Sequence, residues 1–208
     1  MPVKISGDGT ITGLAVGGLP DGTVDEDTLA NLAVSTGKIA NSAVTSAKAS
    51  GLGIGDIDVW RLTAGNTGDQ TPISANWARN NEAGTSLLGS GMTQSSGVFT
   101  FPSTGHWLIR FNHHYRVNGN ERYANSDIQI TTDGGSNWDE VSRQGGNITA
   151  VDSNTTAASA NPSVIFDVTN TTNCKVRFCA AFSNDSVQSV GASDIAFTYA
   201  TFIKLADT

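Results

Sequence analysis

The residues able to do chemistry are few, and their spacing keeps them apart. His113 and His114 are adjacent, and on an extended chain neighbouring side chains point to opposite faces, so they cannot share a metal. His113 falls on an apolar face and is expected as a hydrogen-bonded core or inter-subunit histidine; a metal on the axis of a three-chain assembly would be its one alternative. His106, beside Gly105, carries no signal of its own. Cys174 and Cys179 are five apart on one expected strand, face opposite ways and cannot form a disulfide across it, so both are expected as thiols. The carboxylates of residues 25–28 and 133–140 and of Asp152 offer the oxygens that calcium prefers, but none follows a DxDxDG spacing, and loop solubility explains them. There is no GxSxG elbow, Cys–His motif, HExxH helix, P-loop or dinucleotide fingerprint. No catalytic residue, metal or cofactor is assigned.

What remains is binding chemistry. Trp77, Arg122, Tyr123, Asn125 and Trp138 lie in or beside turn-rich segments. Sugar faces stack on indole and phenol rings while amides and guanidinium meet hydroxyls, which makes these five the candidate receptor or glycan contacts. The competing reading is that the tryptophans plug the core. Trp138 closes the run Thr131-Thr132-Asp133-Gly134-Gly135-Ser136-Asn137-Trp138. This run resembles the Asp-box of sialidases, with Asn137 in place of a Thr. It reads as a hairpin in which Asp133 accepts turn amides and the glycines take positive φ.

Composition limits what must hold these residues in place. The chain has 208 residues and a formal charge of −7, with a pI of about 4.7. An acidic surface disfavours nucleic acid and anionic membranes. No apolar run reaches the ~20 residues of a membrane span, and the N-terminus leads into Gly and Thr, so neither membrane insertion nor secretion is expected. Gly, Thr, Ser and Asn make up about two fifths of the chain, which suits short strands and turns.

The aromatic residues (8 Phe, 4 Trp, 3 Tyr) all lie at or after Trp60. The segment before it therefore lacks the side chains that build a core. Residues 22–31, 32–41 and 42–51 form three decapeptide repeats, GTVDEDTLAN, LAVSTGKIAN and SAVTSAKASG. Val24, Val34 and Val44 align, each followed by a helix-capping residue, Asp25, Ser35 or Thr45. Leu29 and Ile39 share a second apolar column. Units too short to persist alone stack or intertwine. The organisation is read as an attachment segment at 1–21, a stalk at 22–51 assembled through Val24, Leu29, Val34, Ile39 and Val44, a Gly-rich joint at 52–55 and a head at 56–208.

In the head, apolar residues recur with period two, the mark of strands with one buried face. Trp107, Ile109, Phe111, His113, Tyr115 and Val117 share a face. So do Phe99 and Phe101, Ile128 and Ile130, Val164, Phe166 and Val168, and Val176, Phe178 and Phe182. The last strand is read with Ile195, Phe197, Tyr199, Ile203 and Leu205 on one face. Seven to ten strands and no helix predict an all-β sandwich or jelly roll.

The step Phe99-x-Phe101-Pro102-x-x-Gly105-x-Trp107 and the closing run FTYATFIKL resemble the C1q/TNF-type jelly roll. That resemblance implies a trimer. ITGLAVGGLPDGTV and the repeats after it resemble the shaft and attachment segments of tailed-phage fibre and virion structural proteins. Together they imply a homotrimeric, non-enzymatic phage fibre or spike, made in the host cytoplasm and carried on the virion. Its N-terminus would dock on other virion proteins, and its head would face a host glycan or protein. The alternatives are a capsid head fibre or decoration protein without a receptor site, a soluble C1q-like lectin, and, last, a polysaccharide depolymerase.

Overall fold

The computed structural model describes residues 54–208 continuously, together with residues 4–5, 11–12, 34, 39–40 and 44. The chain divides into two compact units, Met1–Ser50 and Gly51–Thr208. In the first, β1 (Lys4–Ile5) pairs antiparallel with β2 (Ile11–Thr12). Val34, Ile39 and Val44 are all exposed on the single chain. Val24 and Leu29, the other two apolar stalk positions, lie outside the described residues.

The second unit is all-β. Its strands are β3 (Ile57–Leu62), β4 (Asn66–Thr67), β5 (Trp77–Arg79), β6 (Thr93–Ser95), β7 (Val98–Thr100), β8 (Gly105–Val117) and β9 (Glu121–Thr131). They continue as β10 (Asp139–Ile148), β11 (Thr156–Ala160), β12 (Ser163–Val168), β13 (Lys175–Phe182), β14 (Gln188–Ser189) and β15 (Tyr199–Ala206). The smaller sheet runs β10-β9-β13-β7-β6. The larger runs β4-β14-β8-β15-β3-β5, with β11 and β12 also pairing with the long β8. Every pairing is antiparallel. The count exceeds seven to ten because β4, β5, β6 and β14 are only two or three residues long, too short for alternation to register.

The two sheets face each other across an aromatic core. On β8, the alternating residues from Trp107 to Val117 are buried. Phe111 stacks on Phe178 of β13 with ring centres 4.8 Å apart, and Phe99 of β7 lies 5.2 Å from Phe202 of β15. Each such buried ring contributes roughly 1.5–3 kcal/mol. Gly105, at the head of β8, shows why the Phe101-to-Trp107 step contains glycine. Its φ is +133°, and a Cβ there would collide with the Ala206 carbonyl and meet Lys204 Cε at 2.6 Å.

The closing strand corrects the sequence reading. Tyr199 and Ile203 do share a face, but it is the outer one, and a register shift between Lys204 and Ala206 breaks the alternation before Leu205. The core face of β15 is Ala200 and Phe202, both fully buried, while Ile195, Phe197 and Leu205 are exposed. Apolar residues occupy both faces of this strand, so alternation alone could not choose between them.

Candidate functional site

His113 is fully buried and faces the core inside its own chain, which removes the axial-metal alternative. Nδ1 lies 2.6 Å from Ser126 Oγ and Nε2 lies 2.8 Å from Ser189 Oγ. A neutral imidazole has one donor and one acceptor nitrogen, so two hydroxyls satisfy it without charge. Burial, and then the charge of neighbouring His114, push its pKa down to about 3. His114 points the other way, bonds Ser159 Oγ through Nδ1 and stacks on Phe197 at 5.5 Å.

Both cysteines are free thiols and buried. Burial raises Cys179 to about 11, far from a reactive thiolate. Among the described residues no group of three or more His, Cys, Asp or Glu side chains comes together to hold a metal.

The Asp133 turn is built as its residues dictate. Asp133 Oδ1 accepts from the Asn137 amide (3.0 Å) and the Thr131 hydroxyl (2.7 Å), and Oδ2 accepts from Asn137 Nδ2 (2.7 Å). Gly134 and Gly135 take φ of +80° and +103°. These bonds, the Asn137 amide first, hold the Asp133 carboxyl well below the usual carboxylate range. Asp133 thus caps the turn, and Asn137 supplies two of its donors, one from the backbone and one from the side chain.

The five candidate contact residues do not form one site. Trp77 is 7% exposed, donates Nε1 to the Ile73 carbonyl at 2.8 Å and packs edge-on against Phe99; it is a core residue. Arg122 and Tyr123 are exposed and pair with each other, the guanidinium 5.6 Å from the phenol ring, with Asn125 half-buried nearby on β9. Trp138 lies beyond the opposite end of β9, roughly 30 Å away along the strand. Its indole donates to the Gly135 carbonyl at 3.1 Å, and Arg177 sits 4.2 Å over its ring. The ring therefore holds a guanidinium.

Two surfaces stand out. The first is an open cleft of 420 Å³ on the outer face of the smaller sheet, walled by the Asp133 turn. Trp138, Lys175, Arg177, Thr93, Ser95 and Thr100 line it. Lys175 and Arg177 are missing from the sequence candidates. The alternation Lys175-Val176-Arg177-Phe178 was the signal, since it places two cations on the face opposite the core residues.

The second surface is the outer face of the larger sheet. Here strand register aligns Ile57 of β3 with Ile203 of β15, Leu108 of β8 and Ile165 of β12. This is a four-strand apolar row pointing away from the core, and Ile165 is 59% exposed. Val59, Thr201, Arg110 and Ser163 form the next row, and Tyr199 and Asn112 pair in the one after.

No family model and no curated protein sequence matches the chain. Among solved structures the chain is similar to murine APRIL at pH 5.0, with a TM-score of 0.52 and 11% identity over 72% of this chain and 98% of that one. It is similar also to Eiger TNF from S. frugiperda, with a TM-score of 0.53 and 11% identity over 73% of this chain and 93% of that one. At such identity the likeness is one of fold, and it makes the second unit a TNF-like jelly roll.

Proposed function

We propose that this chain is a non-enzymatic structural and recognition protein, a homotrimeric fibre or spike of a tailed-phage particle. Its N-terminal segment docks on other virion proteins and its jelly-roll head is exposed for attachment to a host surface. The observation that carries the reading is the apolar row Ile57–Ile203–Leu108–Ile165 on the outer face of the larger sheet, with exposed Ile195, Phe197 and Leu205. A contiguous apolar strip on a β-sheet is costly to leave in water and marks an interface. Copies of the same strip around an axis cover one another. Val34, Ile39 and Val44 of the repeats are exposed on the single chain as well, so both units carry apolar side chains that an assembly of three would bury. Three heads on one stalk also give weak host contacts avidity.

The mass in solution by light scattering tests this. Three chains of 21.6 kDa give about 65 kDa, and Ile203→Asp combined with Leu108→Asp should reduce the head contact and shift the mass downward. A full-length chain that is monomeric at every concentration overturns the reading. Antibody to the head, applied to virions, then assigns tail or capsid.

A further inference from the structure

Lys175 and Arg177 sit two residues apart on β13, so they project from the same outer face with roughly 7 Å between them. Strand register lays hydroxyls beside each. One row is Lys175, Thr100 and Thr93; the next is Arg177, Val98 and Ser95. Above this floor the cleft measures 420 Å³, within the ~300–1,000 Å³ of small-ligand sites. On a chain of net charge −7 no Asp or Glu among the described residues lines it. Neither cation has a carboxylate partner among the described residues. The carboxylates close by are engaged elsewhere: Asp133 by its own turn, and Asp127 and Glu140 by Arg143.

We propose that this cleft binds an anionic saccharide, a carboxylate-bearing sugar whose acid group meets Lys175 and Arg177 and whose ring hydroxyls meet Thr93, Ser95 and Thr100. The cations select for charge, and the hydroxyls of the two rows exchange hydrogen bonds with a polyol. Arg177 is already held before a ligand arrives: its Nε donates to Gln129 Oε1 at 2.8 Å and its Cζ lies 4.2 Å from the centre of the Trp138 ring. A pre-positioned guanidinium loses little freedom on binding. The assignment rests on the host-attachment reading above and gives it a ligand class. The cleft lies on the sheet opposite the apolar row, so a trimer closed through that row leaves three clefts open.

The test is calorimetric titration of the full chain with a galacturonic acid tetramer, a neutral glucose tetramer and sodium sulfate. The uronate tetramer should bind and the neutral one should not. Lys175→Ala and Arg177→Ala should each weaken binding about tenfold, and raising the salt should weaken it further. Both side chains point out of the sheet, so both variants should keep the parent's mass; Lys175→Ala should keep its melting temperature as well, and Arg177→Ala, which gives up the Gln129 bond and the Trp138 ring, should melt only slightly lower. Equal binding of the neutral tetramer, unchanged affinity in the double variant, or displacement by sulfate at equal concentration would each overturn the proposal. A trimer that ignores the uronate loses the ligand and keeps the fibre. A monomer that binds it with the same dependence loses the fibre and keeps the cleft.

Discussion

Acid should destabilise the head, and His113 should supply a separable share of that loss. The folded imidazole is neutral, held between Ser126 and Ser189, and burial first, then His114, lower its pKa from 6.5 to about 3. The unfolded imidazole gains its proton below about pH 6.5, and the folded one does so only near pH 3. Between those values the unfolded state binds more protons. The His113 contribution is therefore complete above pH 6.5 and drains away as pH falls towards 3. At 1.36 kcal/mol per unit, two units of acidification cost roughly 3 kcal/mol, and the whole span costs about 5 kcal/mol. Carboxylates titrate in the same range, so the readout is a difference. Urea unfolding at pH 7 and pH 4.5, at fixed protein concentration, is compared between the parent and His113→Gln. The variant should be less stable at pH 7, because it disturbs a fitted core site. Its loss between the two pH values should be smaller than the parent's by roughly 3 kcal/mol. Proton NMR of the imidazole should show no titration above pH 4. A midpoint near 6.5, or equal acid sensitivity in parent and variant, would falsify the reasoning.

Three further outcomes follow from buried contacts. Asp58, 1% exposed, accepts from Arg79 through both oxygens and from the Met92 amide and Trp60 Nε1. Asp58→Ala strands these donors and should cost about 3–5 kcal/mol, lowering Tm by roughly 10 °C in a scanning melt; a change under about 2 °C would contradict this. Gly105→Ala places a Cβ against the Ala206 carbonyl at a φ of +133° and should lose about 1–3 kcal/mol in urea, with no loss refuting the steric account. The Cys179 thiol, raised to about 11 by burial, should resist a chromogenic disulfide reagent at pH 8 in the native protein and react in urea together with Cys174. Fast native labelling would show the strand to be open.

Much of this was legible in the residues themselves. Alternation of two sorts the side chains of a strand into two faces, and from Trp107 to Val117 one set is apolar and the other mostly polar, so the inward face needed no coordinates. The same holds for Val176 and Phe178. The Asp133 turn was legible too, since the bonds to its carboxylate come from residues within four positions of it. Where both faces of a strand are apolar, as around Phe202, pattern gives parity but no direction. Only the pairing of β15 between β3 and β8 decided that Ala200 and Phe202 turn inward, leaving Tyr199, Ile203 and Leu205 outside. Trp77 was undecidable for a similar reason, because a tryptophan beside a turn reads alike whether the turn folds over the core or away from it. The cleft was legible only in pieces, as Trp138 in its turn and two cations on one face of a strand. Lys175 and Arg177 gain their meaning from Thr93, Ser95 and Thr100, far off in the chain, and that proximity is set by register between strands that the sequence does not state. Local bonds and periodicity are properties of a segment; which segments lie side by side is settled only when the whole sheet closes around its core.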